Sequence, residues 1–180
     1  ILLGLRSPKA NGSKSISDTI LTGKRDYLND EAFQAYKDAC HNPSVYCIQG
    51  PPGTGKTDVL GKIASTYSSE GNEVLIICHT HTAVNNALNK IASTSGHLPI
   101  IKIGEELKGE ELDDKVVRCP TYNAYLTLRK TRKKKPHAEK SNDIVGMTLQ
   151  SAVINIGLRK SNFSPSIILV DAAGQIPFAQ

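Results

Sequence analysis

The segment that most constrains the fold is GPPGTGKT at residues 50–57. It matches the pattern G-x-x-x-x-G-K-[S/T] in full, with a β-rich run, SVYCIQ, before it and a helical pattern, TDVLGKIASTY, after it. Glycines let such a loop turn its backbone N–H groups towards one centre, and the following helix adds the positive end of its dipole. The segment therefore predicts a strand, a phosphate-binding loop and a helix, in that order.

The side chains of this loop suit a triphosphate carrying a metal ion. Lys56 supplies a mobile positive charge for the terminal phosphates, and Thr57 supplies a hydroxyl for Mg²⁺. Asp171 ends the aliphatic run IILVD and is the acidic residue such a site needs on a neighbouring strand. We predict Lys56 and Asp171 as catalytic residues and Thr57 and Asp171 as the Mg²⁺ site. The predicted nucleotide contacts are Gly50, Pro51, Pro52, Gly53, Thr54, Gly55, Lys56 and Thr57.

The hydrophobic pattern predicts the α/β class. EVLIIC, LPIIKI, DIVGMT and SIILVD are continuous aliphatic runs, which are typical of parallel strands covered on both faces. NDEAFQAYKDAC and AVNNALNKIAS have helical periodicity, the first with Asn29 or Asp30 as its N-cap. We expect residues 1–27 to be a lead-in or the end of a preceding domain, and 28–180 to form one domain. Residues 105–141 interrupt the rhythm and are predicted to be an insertion or an elaborated connection.

Composition indicates the class of protein and the cellular compartment to expect. Hydrophobic content of 39% and charged content of 22% are those of an ordinary globular protein. The four cysteines lack paired spacing, which disfavours a zinc site and predicts reduced thiols in a cytoplasmic or nuclear protein. The apolar runs are too short to cross a membrane. The chain starts without methionine, and we expect it to belong to a larger protein.

The positive charge is concentrated between residues 129 and 140. Seven lysines and arginines lie there against one acidic residue, Glu139, although the whole chain carries only +5. Nucleic-acid contact, a solvated loop and a targeting or protein-binding patch are all compatible with such a run. Tyr122 and Tyr125 precede it rather than alternate with it, so it lacks a base-stacking pattern.

Five motifs together resemble superfamily 1 helicases: LNDEAFQAY, IQGPPGTGKT, VLIICHTHTAVNNAL, DIVGMTLQSA and ILVDAAGQIP. The branch they are most similar to contains the nonsense-mediated-decay helicase and the nuclease-helicases of Okazaki-fragment processing. The resemblance runs from about residue 28 to 180. It implies the first of two RecA-like motor domains, a P-loop NTPase with a parallel sheet and helices on both faces. It also implies ATP as substrate, single-stranded RNA or DNA as partner, 5′-to-3′ movement, and a second RecA-like domain beyond this sequence.

The resemblance also implies which residues contact the nucleic acid. In HTHTAVNNAL these are Thr80, Thr82 and Asn85 or Asn86, and in GMTLQ they are Thr148 and Gln150. Hydroxyl groups and helix-start amides bind phosphate without reading base sequence. Thr82 could instead only cap the helix that follows, and capping is compatible with phosphate contact.

Two positions depart from the family pattern. Ala32 stands where the family has an adenine-binding glutamine, and Gln34 is offset from that position. Ala172 stands where the family has the glutamate that activates water, and losing such a base costs about 10²–10⁴-fold in rate. We therefore expect poor hydrolysis. The alternatives are a nucleotide-gated module that does not hydrolyse ATP, a substituted form of an active motor, and a different P-loop enzyme such as a kinase or a transport ATPase.

Overall fold

The computed structural model describes residues 2–6, 28–41, 45–104, 111–133, 142–156 and 165–172. Its strands are β1 Leu2–Arg6, β2 Val45–Ile48, β3 Val74–Cys78, β4 Ile100–Ile103, β5 Val117–Cys119, β6 Ile144–Thr148 and β7 Ile167–Val170. Its helices are α1 Asp30–His41, α2 Lys56–Ser69, α3 His81–Ser95, α4 Tyr122–Lys133 and α5 Leu149–Ile156. The strands predicted at β2, β3, β4, β6 and β7 and the helices predicted at α1, α2 and α3 are confirmed.

The described strands form one sheet in the order β2-β1-β7-β3-β6-β4-β5. From β7 to β5 the five neighbouring strands are all parallel. Strand β1 lies inside the sheet and runs antiparallel to both β2 and β7. The predicted α/β fold with a parallel sheet, that of a P-loop NTPase, is confirmed.

Helices cover both faces of the sheet, which explains the continuous aliphatic runs. Every residue of β3, β4 and β6 is buried. In β3, Val74 and Ile76 pack with α1, α2 and α3, while Leu75 and Ile77 pack with α4 and α5. A strand enclosed in this way has no polar face, so its sequence does not alternate.

The first helix is fixed to the second by hydrogen bonds. Asn29 caps α1, because its side chain accepts from the Ala32 amide at 2.8 Å, and Asn29 was one of the two predicted caps. Tyr36 of α1 is fully buried and hydrogen-bonds Thr66 of α2 at 2.9 Å. Tyr67 of α2 donates to the Cys40 carbonyl of α1 at 3.2 Å.

Four elements have no counterpart in the predicted pattern: β1, β5, α4 and α5. Residues 2–6 form a strand within what was predicted as a lead-in, and residues 7–27 lie outside the described residues. Residues 111–133 contribute the edge strand β5 and the covering helix α4, so this part of the predicted insertion belongs to the layered fold. Strand β5 has three residues with an arginine in the middle, and so short an edge strand leaves little hydrophobic pattern.

Cys40, Cys47, Cys78 and Cys119 are all free thiols, and three of them are buried. Across the described part of the chain, no helix has the length and apolar character needed to cross a membrane.

Candidate nucleotide and nucleic-acid site

The phosphate loop and Asp171 lie at the same edge of the sheet. In the antiparallel register of β1, Leu2 faces Ile48, the last residue of β2, and Leu3 faces Val170, the last residue of β7. The carboxyl ends of β2 and β7 are therefore level to within one residue, with a single strand between them. Strand spacing puts those ends roughly 10 Å apart. The spatial relation that the sequence required between loop and carboxylate is present.

The loop adopts the turn for which its glycines are needed. Gly53 and Gly55 both have φ near +79°, in the left-handed region that glycine enters without strain. A Cβ on Gly53 would touch no atom within 4 Å, so its glycine is required by backbone conformation and not by space. A Cβ on Gly50 would lie 2.7 Å from the Thr54 hydroxyl oxygen, so a side chain at Gly50 would force that hydroxyl to move.

Lys56 begins α2 and folds back over the loop. Its Nζ donates to the carbonyl oxygens of Gly50 at 2.8 Å and Pro51 at 2.6 Å, and the Thr54 hydroxyl donates to Pro51 O at 2.8 Å. The ammonium group is thus held within the curve of the loop by weak carbonyl partners. A phosphate oxygen is a stronger, charge-assisted acceptor, so the donor set fits a phosphate group.

Asp171 is held in place by its backbone. Its amide donates to the Ile77 carbonyl of β3 at 2.9 Å, and its carboxylate accepts from the Ala172 amide at 2.9 Å. The neighbouring thiol of Cys78 is fully buried, and burial first and the Asp171 charge second raise its pKa to about 12. Asp171 itself is partly exposed, which leaves carboxylate surface for a cation.

Ala172, at the predicted general-base position, has φ of 52°. Among the described residues no other non-glycine residue has a positive φ. Left-handed backbone costs an L-residue about 1–2 kcal/mol, so the chain is strained directly after Asp171. Strain of this kind is concentrated at functional sites.

The predicted nucleic-acid contacts at the start of α3 differ in exposure. Thr80 is the N-cap and accepts from the Ala83 amide at 3.1 Å, so the alternative role of Thr82 as the helix cap is wrong: Thr82 lies within the first turn. Thr80, Thr82 and Asn86 are exposed. Asn85 is only 2% exposed and presents almost no surface to a partner. Of the predicted pair, Asn86 is the residue that a ligand can reach.

The second predicted group lies at the end of β6. Thr148 faces Cys78 across the β3–β6 pair, so it belongs to the same sheet edge as Asp171. It is 8% exposed, and its hydroxyl accepts from the Ser151 amide at 3.3 Å as α5 begins. Gln150, by contrast, is exposed.

The predicted adenine-binding position, Ala32, has no side-chain amide group. Ala32 packs against the core with its methyl group, and its amide belongs to the Asn29 cap. Gln34 donates to Asp38 at 2.7 Å along the exposed side of α1.

Part of the basic run has a structural role that the sequence did not reveal. Arg129 is buried in an ion pair with Glu73, and Arg132 pairs with the buried Asp143 at 3.3 Å. Glu73 and Asp143 immediately precede β3 and β6, at the sheet edge opposite the phosphate loop. Residues 134–140, the rest of the run, lie outside the described residues. The sequence feature that could have indicated this structural role is the spacing of Arg129 and Arg132, which lie three positions apart and therefore on one side of a helix.

Comparison with known proteins agrees with this geometry. The AAA domain family matches residues 27–118, just over half of the chain. DNA replication ATP-dependent helicase/nuclease DNA2 of Saccharomyces cerevisiae is 38% identical over 84 residues, 44% of this chain and 5% of that protein. The protein of the same name in Schizosaccharomyces pombe is 25% identical over 155 residues, 74% of this chain and 11% of that protein. The Gallus gallus DNA2 is 40% identical over 65 residues, 36% of this chain and 7% of that protein.

The chain thus spans only a small part of the length of these relatives. No solved structure is significantly similar to it. The family match includes the phosphate loop, α2 and α3, and the S. pombe alignment extends over most of the chain. The chain belongs to the AAA domain family and has the character of a superfamily 1 helicase-like first motor domain.

Proposed function

We propose that this chain is the first motor domain of an ATP-dependent helicase, binding Mg²⁺-ATP and single-stranded nucleic acid. The observation that carries the proposal is the shared sheet edge: the glycine loop, Lys56 and Asp171 lie there, and so do the exposed Thr80, Thr82 and Gln150. Ligands of open α/β sheets bind at this edge, beyond the carboxyl ends of the strands.

The residues would divide the work as follows. The loop amides and Lys56 bind the phosphates, with the Lys56 ammonium leaving the carbonyls of Gly50 and Pro51 for phosphate oxygens. Thr57 and Asp171 hold the Mg²⁺ ion, which when bound supplies charge neutralisation at the phosphates. The hydrogen bond that the Asp171 amide donates to the Ile77 carbonyl fixes the backbone of Asp171 at the end of the strand. The sugar-phosphate backbone of the nucleic acid is contacted by Thr80, Thr82, Asn86, Thr148 and Gln150.

Residues 28–180 form the motor domain in this proposal, residues 1–27 lead into it, and a second RecA-like domain completes the enzyme. The four free thiols support a cytoplasmic or nuclear location. The DNA2 relatives are ATP-dependent helicase/nucleases, which supports the activity class.

Binding of a fluorescent ATP analogue with Mg²⁺ tests the nucleotide site. Lys56→Ala is expected to weaken binding about 10- to 100-fold, because a hydrogen-bonded charge is lost. Lys130→Ala is the matched control, since it removes the same charge from an exposed position on α4. Equal binding by wild type and Lys56→Ala would show that the loop is not the site. Salt-dependent binding to single strands distinguishes a helicase from another P-loop enzyme.

Ala172 favours a second candidate function, a nucleotide-gated nucleic-acid-binding module that does not hydrolyse ATP. A methyl group neither accepts a proton nor orients water. Single-turnover hydrolysis by wild type and Ala172→Glu separates the two candidates. A gain of about 10²–10⁴-fold in Ala172→Glu would support the module, with the glutamate restoring a motor. Rapid hydrolysis by wild type would exclude it.

A further inference from the structure

The ion pair between Asp58 and Lys90 joins the phosphate loop to the helix that carries the predicted nucleic-acid contacts. Asp58 lies in the first turn of α2, and its carboxylate accepts from Lys90 Nζ of α3 at 2.7 Å. The other carboxylate oxygen lies 3.5 Å from where a Cβ on Gly55 would be. Asp58 therefore lies beside the last glycine of the loop and is also paired with the middle of α3.

The charge of Asp58 matters because of where it lies. A carboxylate in the first turn of a helix is stabilised by the positive end of the helix dipole. The phosphates of a nucleotide in the loop would use that same end of α2, so an uncompensated Asp58 repels them. Lys90 compensates this charge from a different helix. Lys90 thus offsets, from another helix, a negative charge that a polyanion in the loop would meet.

Close packing next to the ion pair links the two helices mechanically. Gly61, one turn beyond Asp58, lies against α3, since a Cβ there would be 3.4 Å from the Ile91 side chain. Ile91 follows Lys90 and is fully buried in the core. At the start of the same helix are Thr80 and the exposed Thr82 and Asn86. Eight residues separate Thr82 from Lys90, about 12 Å of rigid helix.

We propose that the Asp58–Lys90 pair couples nucleotide binding at the phosphate loop to nucleic-acid binding at the start of α3. The inference rests on the proposed function. A nucleic-acid strand bound at Thr80 and Thr82 favours the position of α3 in which Lys90 pairs with Asp58. Because the Asp58 charge is then neutralised, the loop binds the triphosphate more tightly. By thermodynamic linkage, nucleotide raises the affinity for the strand by the same factor. Asp58 and Lys90 are positioning residues in this scheme.

The test measures affinity for the Mg²⁺-bound fluorescent ATP analogue with and without a saturating single-stranded oligonucleotide. The ratio of the two affinities is the coupling factor. The variants are Lys90→Ala, Asp58→Asn, the double variant and the conservative Lys90→Arg, all in the intact protein. Lys115→Ala is the matched control, because it removes one positive charge and a contact to α3 at Ala92 O, 3.3 Å away, without involving Asp58.

We expect the coupling factor to fall about two- to fivefold in Lys90→Ala and in Asp58→Asn, the range set by partly exposed ion pairs. The double variant should fall no further, because the two residues act through one contact. Lys90→Arg and Lys115→Ala should keep the wild-type factor. Without oligonucleotide, Lys90→Ala should weaken nucleotide binding and Asp58→Asn should not, since only the first leaves an unpaired negative charge beside the loop.

Two results overturn the inference alone: wild type binds both ligands with a coupling factor of one, or both single variants keep the wild-type factor. In the second case a lowered melting temperature would show that the pair only holds two helices together. If wild type binds neither nucleotide nor oligonucleotide, the proposed function fails and the coupling fails with it.

Discussion

The two edges of the sheet use charged residues in opposite ways. At the amino edge, carboxylates and guanidinium groups from different elements form ion pairs: Glu73 pairs with the buried Arg129, and the buried Asp143 pairs with the partly exposed Arg132. Tyr125 adds a hydrogen bond to Asp143 at 3.2 Å. At the carboxyl edge, Lys56 and Asp171 are held by backbone groups, and both are partly exposed.

This difference separates residues that hold the fold from residues available to a ligand. A buried charge must be paired, so the charges of the amino edge are committed to one another. Backbone carbonyls and amides are weaker partners, and a phosphate or cation can replace them. A basic residue in this chain is therefore informative about function only once its edge of the sheet is known.

The largest change in folding stability is expected from a substitution at the amino edge. Arg129→Met removes the buried cation that pairs with the largely enclosed Glu73, and removing one member of a buried pair costs up to about 3–5 kcal/mol of folding free energy. Nucleotide affinity should stay unchanged, because Arg129 is at the opposite edge from the loop. Urea denaturation and the fluorescent-analogue titration measure the two quantities.

The double variant Arg129→Met with Glu73→Leu is the control for this loss. It removes both charges, so it should recover most of the stability. A double variant as unstable as Arg129→Met would mean that Arg129 acts through packing and not through its charge. Lys56→Met completes the comparison, with weaker nucleotide binding and little change in stability.

Much of the fold and the main features of the site could be predicted from local patterns. The loop glycines and Lys56 are identified by the G-x-x-x-x-G-K-[S/T] pattern and Asp171 by its place after an aliphatic run, and the register of β2 and β7 puts them at one edge. The amino-edge pairs could not be predicted, because Glu73 and Arg129 are 56 positions apart and each resembles a surface charge in sequence. Strand β1 was missed for a similar reason, since its neighbours β2 and β7 lie far along the chain.

A smaller change in folding stability is expected when the Cys78 thiol, beside Asp171, loses its proton at high pH. The folded-state pKa of Cys78 is raised from an ordinary value near 9 to about 12, so the folded protein keeps a proton that the unfolded chain releases. Stability from this group is complete below pH 9 and is lost as the pH rises towards 12. Between pH 8 and 10 the loss is about 1–2 kcal/mol.

Urea denaturation of wild type and Cys78→Ala over that pH range isolates the contribution. The substitution lowers stability at every pH by emptying buried volume, but its stability should fall less steeply above pH 8.5. Parallel curves would contradict the pKa shift. Tyr125, whose pKa is also raised by burial and then by Asp143, titrates at higher pH and is present in both proteins.

The smallest change in folding stability is expected from relieving the backbone strain at Ala172, directly after Asp171. Ala172→Gly removes the Cβ that makes a φ of 52° costly, so it should stabilise the protein by about 0.5–1 kcal/mol after the entropy cost of glycine is subtracted. Ala124→Gly is the matched control, because the same change within helix α4 should destabilise by about 0.5–1 kcal/mol. Opposite signs in urea denaturation would show that strain is stored beside the Asp171 carboxylate. Equal losses of stability in the two variants would mean that Ala172 is not strained in solution. The two edges of the sheet would then differ only in how their charged residues are paired.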